Sequence, residues 1–161
     1  MSPRVAWLSL WLCIAACGSS EAASVAGNYA VILTNGNNGC NLPSSPGGAT
    51  STVTVTLTQS HSDVTAVVGG GAGILLDIGL GGHSFTGKIT GGDLDLHLFG
   101  TRSMTTGNCT YTLNAAIRAV VDGNTLNGQI DYTSATNGNP DCSTIDSCDS
   151  FQEISGTRET H

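Results

Sequence analysis

The sequence predicts an all-β fold: an antiparallel up-and-down meander barrel of eight or nine strands. Two observations carry that expectation. From residue 27 onward apolar and polar residues alternate at period two, and no stretch of ten or more residues repeats its apolar positions at helical spacing. Between the alternating runs, turn-forming residues recur at short intervals, as in Gly91-Gly92-Asp93, Asp122-Gly123-Asn124 and His61-Ser62-Asp63. Such spacing suits tight hairpins, and with no helix long enough to cross over a sheet, parallel pairing is not expected.

The strands expected, in order, cover residues 27 to 34, 50 to 60, 63 to 68, 73 to 80, 84 to 90, 93 to 101, 109 to 121, 125 to 133 and 150 to 158. Thr52-Val53-Thr54-Val55-Thr56-Leu57-Thr58 is the clearest, with β-branched threonine along its outer face. Asp93-Leu94-Asp95-Leu96-His97-Leu98 sends three leucines one way and Asp93, Asp95 and His97 the other. In the long strand after Cys109, Tyr111, Leu113, Ala115, Ile117, Ala119 and Val121 share a face. Leu126, Gly128, Ile130 and Tyr132 repeat the pattern in the next strand. Gly69-Gly70-Gly71-Ala72-Gly73 and Gly79-Leu80-Gly81-Gly82 read as flexible hairpin connections. Neither is expected to open a helix or to be followed by the Lys-Ser/Thr pair of a phosphate cradle.

A meander with one apolar face must hide its edges, and closure removes them altogether. Small inward candidates such as Gly87, Ala115, Ala119 and Gly128 suit the tight interior of an eight-stranded barrel, so closure is preferred over the alternative of a two-sheet sandwich. The opposite faces carry Thr, Asn, Asp and Gln instead of a continuous apolar band, which argues against an outer-membrane barrel.

The first residues read differently. Arg4 precedes an apolar run from Val5 to Ala16 that is too short to span roughly 30 Å of hydrocarbon, and the run ends in Ile14-Ala15-Ala16-Cys17-Gly18. A branched apolar residue, two small residues and a cysteine in that position resemble the lipobox of bacterial lipoproteins. The resemblance implies cleavage before Cys17 and its acylation, with palmitate among the chains attached. The expected organisation is therefore a signal peptide over 1–16, a lipidated cysteine with a short tether over 17–26, and a single barrel domain over 27–161. An ordinary signal peptide cut near Ala23 is the other reading of Glu21-Ala22-Ala23-Ser24. Gly18 follows the cysteine where an aspartate would resemble an inner-membrane retention signal, so the outer membrane is the expected location.

Removing residues 1–16 leaves 145 residues, with Lys88, Arg102, Arg118 and Arg158 as strong bases against twelve carboxylates, a formal charge of −8. So acidic a chain has no electrostatic footprint for nucleic acid and would be repelled by anionic headgroups; its expected membrane contact is through the acyl chains on Cys17. Four cysteines remain for an exported domain, which reads as two disulfides. The five residues between Cys142 and Cys148 in a turn-rich loop favour joining those two, leaving Cys40 with Cys109, although four cysteines allow three pairings. No Cys-x-x-Cys pair supports a zinc site instead.

Gly27-Asn28-Tyr29 opens the first strand and Gly156-Thr157-Arg158 closes the last. This resembles the calycin arrangement of lipocalins and avidin-like barrels, where a Gly-x-aromatic start packs beneath an arginine from a late strand. Here the aromatic is Tyr29 where tryptophan is more usual, and no further lipocalin motif is present. The same opening, with Cys40 following, also resembles bacterial protease-inhibitor lipoproteins built on avidin-like barrels. What the resemblance implies is architecture, with Gly27, Tyr29 and Arg158 as its signature, and not a particular ligand.

No Gly-x-Ser-x-Gly nucleophile turn occurs, and His61, His83, His97 and His161 stand in unrelated contexts, so no catalytic constellation or cofactor is expected. Asp93, Asp95 and His97 alternate on one strand face, where they are weak candidates for a divalent ion, but an exposed strand carries such residues anyway. Asp141, Asp146 and Asp149 gather in an Asx-rich loop without EF-hand spacing or a closing Glu. The functional expectation is a lipid-anchored, non-catalytic barrel that binds an unknown small molecule in its mouth. A loop-mediated interaction or inhibitor protein is the alternative.

Overall fold

The computed structural model describes residues 22–42 and 46–160; the lipobox, Cys17 and the signal segment lie outside the described residues. Nine strands form one antiparallel sheet: β1 (Gly27–Asn38), β2 (Thr50–Ser60), β3 (Asp63–Val68), β4 (Ser84–Thr90), β5 (Asp93–Leu98), β6 (Met104–Thr106), β7 (Cys109–Asp122), β8 (Thr125–Thr136) and β9 (Asp149–Arg158). They run in meander order. β1 pairs with β9 and β5 pairs with β7, closing eight strands into a barrel with β6 as an extra strand on the overhang of β7. The all-β fold and the closure are as the alternation and the small inward residues predict.

The leucines of β5 show why period two suffices. Leu94, Leu96 and Leu98 are buried while Asp93 and Asp95 are exposed, and Leu113, Ala115, Ile117, Ala119 and Val121 of β7 fill the same interior from across the pairing. Glycine serves where the wall bends. A Cβ at Gly128 would overlap the carbonyl of Arg118 and come within 2.6 Å of Ala119 Cβ, so only a bare backbone passes there.

Two expectations fail between β3 and β4. Residues 73 to 80 are not a strand, and the glycine run before them is not a hairpin connection: Gly70–Gly79 form the helix α1, capped by Gly69 and Leu80. β4 pairs directly with β3, so residues 69–83 lie outside the sheet and must satisfy their own backbone. Ala72, Leu76 and Leu80, four apart, pack inward as one stripe, and Gly73 sits so close to the Val68 carbonyl that no side chain would fit. A short apolar run such as Ile74-Leu75-Leu76 looks the same to period analysis in a buried strand or a helix. Elsewhere β5 stops at Leu98 instead of residue 101, because Gly100 turns its N–H onto Asn114 Oδ1 at 2.9 Å. β6, which the alternation did not reveal, is only three residues long and ends in the tight turn Gly107-Asn108, with Gly107 at φ +60°.

Candidate functional site

The two ends of the barrel differ. Three two-residue hairpins, His61-Ser62, Gly91-Gly92 and Gly123-Asn124, close one end, and both chain termini of the domain lie there. Residues 22–26, expected as part of a short tether, are docked on it. Val25 is fully buried and donates its N–H to Gln59 Oε1 at 2.8 Å, Gln59 returns a hydrogen bond to the Ala23 carbonyl, and Ala23 donates to the Gly91 carbonyl at 2.7 Å.

The signature residues meet beneath this plug. The Tyr29 hydroxyl, itself fully buried, donates to the Val25 carbonyl at 3.0 Å and accepts from Arg158 Nε at 2.9 Å. Arg158 lies over the Tyr29 ring and gives a further hydrogen bond to the Ser24 carbonyl at 2.7 Å. Gly27 leaves room for it: a Cβ there would press on Arg158 Cδ at 3.2 Å. Gly27, Tyr29 and Arg158 thus seal one end of the barrel, and ligand access through that end is blocked.

The opposite end carries the long connections: residues 39–42 and 46–49, the α1 segment, the β6 hairpin and residues 137–148. Two disulfides hold it, and their pairing corrects the expected one. Cys40 joins Cys148, and Cys109 joins Cys142. Cys142 and Cys148 are near in sequence, but each faces a different strand. Because β1 pairs with β9, the end of β1 at Cys40 meets the start of β9 beside Cys148. A 3₁₀ turn over Pro140–Cys142 brings Cys142 onto the start of β7. Strand pairing, not loop length, decides which thiols meet. Ser150, buried and unanticipated, locks the same corner by accepting from the Cys40 N–H at 2.8 Å and donating to Asn38 Oδ1.

The carboxylates of Asp141 and Asp146 are taken up in holding the long loop. Asp141 Oδ2 accepts from the backbone and side-chain nitrogens of Asn108, each at 3.0 Å, tying the loop to the β6 hairpin. Asp146 accepts from Thr136, and the carbonyl of Asp149 accepts from Gly39 and Asn37. On β5, Asp95 Oδ1 lies 3.1 Å from His97 Nε2, and the His97 ring stacks on Phe99. Asp95 sits in register between Lys88 and Arg118 on the flanking strands, whose side chains are paired with Asp63 and Asp131. Among the described residues no three His, Cys, Asp or Glu side chains are grouped to hold an ion.

The interior is filled by side chains from every barrel strand, with Phe85 and Leu96 among those completely buried. Two concavities lie instead on the outer wall. One of about 480 Å³ is lined by Thr34, Arg118, Gln129 and Glu153; one of about 380 Å³ shares Arg118, Asn127 and Gly128 with it. Arg118 in the first is already held by Asp131 Oδ2 at 3.1 Å. Burial pushes the Tyr132 phenol up to about 12, and its hydroxyl donates to Gln152 Oε1 at 2.8 Å.

Comparisons with protein-family models, with curated proteins and with solved structures return no match for this chain. The closed eight-stranded barrel is consistent with a calycin-like fold.

Proposed function

We propose that this chain is a bacterial envelope lipoprotein, acylated at Cys17 and placed at the outer membrane, whose barrel is a non-catalytic binding module. The observation that carries the mode of binding is the filled interior. A ligand pocket is ordinarily a cleft or cavity of several hundred Å³ that buries most of its ligand, and here packed side chains stand where it would lie. The reading that fits best is therefore the loop-mediated one: a partner protein held by the β6 hairpin and the 137–148 connection at the disulfide end. Those connections are tied to the barrel by two disulfides and by Asp141, so they meet a partner already ordered, which lowers the entropic cost of association.

The lipoprotein part stands on the Ile14-Ala15-Ala16-Cys17 pattern, and Ala22, the first described residue after it, lies at the sealed end, opposite the two disulfides. Replacing Cys17 by Ser should release the protein from the membrane fraction or leave it unprocessed; normal processing and retention would refute the anchor. Native mass spectrometry of the parent from its own envelope should show acyl chains and two disulfides with no small molecule retained. A stoichiometric small ligand would return the binding site to the barrel interior.

A further inference from the structure

The outer face of α1 is apolar and uncovered. Ile74, Leu75 and Ile78 are 60%, 61% and 57% exposed, although Ala72, Leu76 and Leu80 already supply the stripe that holds the helix to the barrel. Polar residues at those three positions would keep the helix equally well packed, so fold stability does not explain them.

Charge is distributed around the barrel in a way that indicates what covers this face. On the flank made by β2, β3, β4 and α1, Asp63 and Asp77 are the carboxylates among the described residues. Asp63 is paired with Lys88 Nζ at 2.8 Å, which holds its carboxyl below the usual range, and Asp77 is paired with His83 at 2.7 Å. Outward positions between them are Thr, Ser and Val: Thr54, Thr56, Thr65, Val67, Ser84 and Thr86. The remaining acidic residues of the described chain lie on β5, β7, β8, β9 and the loops, so an acidic protein turns outward one flank where carboxylates are few and each has a nitrogen partner.

Residues 23 and 25 are bonded at the rim of this same flank, to Gly91 and to Gln59 of β2. Ala23 is bonded to Gly91 in the β4–β5 turn, whereas α1 lies against β2 and β3 at the other end of strands six and seven residues long, a separation of roughly 20 Å. We propose that the β2–β4 flank lies against lipid, with Ile74, Leu75 and Ile78 seated in the interfacial layer of a zwitterionic membrane. This rests on the envelope lipoprotein reading above. Three side chains make a patch well short of the roughly 800 Å² per partner that a stable dimer buries. For a protein already held by acyl chains, however, the contact is intramolecular and a small patch suffices.

Trp7 and Trp11 precede the cleavage site, so the processed protein contains no tryptophan and Leu75→Trp becomes a single reporter, with Ile78→Trp as a second. The acylated protein would be reconstituted in phosphatidylcholine vesicles with brominated acyl chains. Emission from position 75 should shift to the blue and be largely lost to the bromines, while Val120→Trp, 54% exposed on the β7 outer face, should keep its emission. If the Leu75→Trp and Ile78→Trp proteins carry acyl chains by mass and yet go unquenched, the proposal is overturned and the anchor stands. Missing acyl chains would overturn the anchor instead; the same two variants, titrated with the vesicles as unacylated full chain with Trp7 and Trp11 replaced by Phe so that the introduced tryptophan is alone, would then support the flank if quenched and refute it if not. A blue shift that grows with protein concentration without lipid would assign the face to a second copy and overturn the proposal.

Discussion

Leu96 and Asp95 are neighbours in the chain with opposite fates. Leu96 is fully buried, so Leu96→Ala should cost about 2 to 5 kcal/mol through lost burial and the cavity left behind. Asp95 is exposed, and Asp95→Asn should change stability by no more than about 0.5 kcal/mol. Chemical denaturation of both variants, with and without millimolar calcium or zinc, checks the pair; a strong metal-dependent gain lost only in Asp95→Asn would reveal an ion site. Tyr132 makes a pH prediction. Its folded pKa is raised by burial, so the folded state keeps a proton that the unfolded chain gives up near pH 10. The stability it contributes is complete below that pH and is lost as pH rises towards about 12. Denaturation midpoints should fall over that window, and Tyr132→Phe should flatten the fall.

At the scale of elements, α1 separates packing from exposure within one turn of helix. Leu80 is buried at the barrel end, so Leu80→Ala should cost about 2 to 5 kcal/mol, whereas Leu75→Ser should stay within about 0.5 kcal/mol. Urea denaturation of the two variants measures the contrast, and equal losses would mean that the outer face is packed after all. The strands were legible because every barrel strand has one wet and one dry face. The helix was not, because Gly70, Gly71, Gly73 and Gly79 depress helix propensity and its apolar residues occupy both faces. Tertiary packing of Ala72, Leu76 and Leu80 overrides that weak local preference.

For the whole molecule, non-reducing peptide mapping should join Cys40 to Cys148 and Cys109 to Cys142. In the chain-entropy model these bonds close loops worth about 4.7 and about 3.7 kcal/mol, so removing the Cys40–Cys148 bond by a double Ala substitution should be the more destabilising of the two. Recovery of a Cys142–Cys148 peptide would contradict the folded arrangement. Alternation and turn residues by themselves determined the class of fold, eight of the nine strands and the three tight hairpins, because which face of a strand is buried and where the chain can reverse are local properties. The same locality placed Gly27, Tyr29 and Arg158 at the two ends of the sheet. Small inward residues argued for closure as well; only the tertiary structure decided that the disulfides follow the β1–β9 and β7 contacts, that the interior is filled, and that α1 turns an apolar face outward. Each of these depends on which distant segments become neighbours when the sheet closes, and pairing between segments so far apart in the chain leaves no period in the sequence to read.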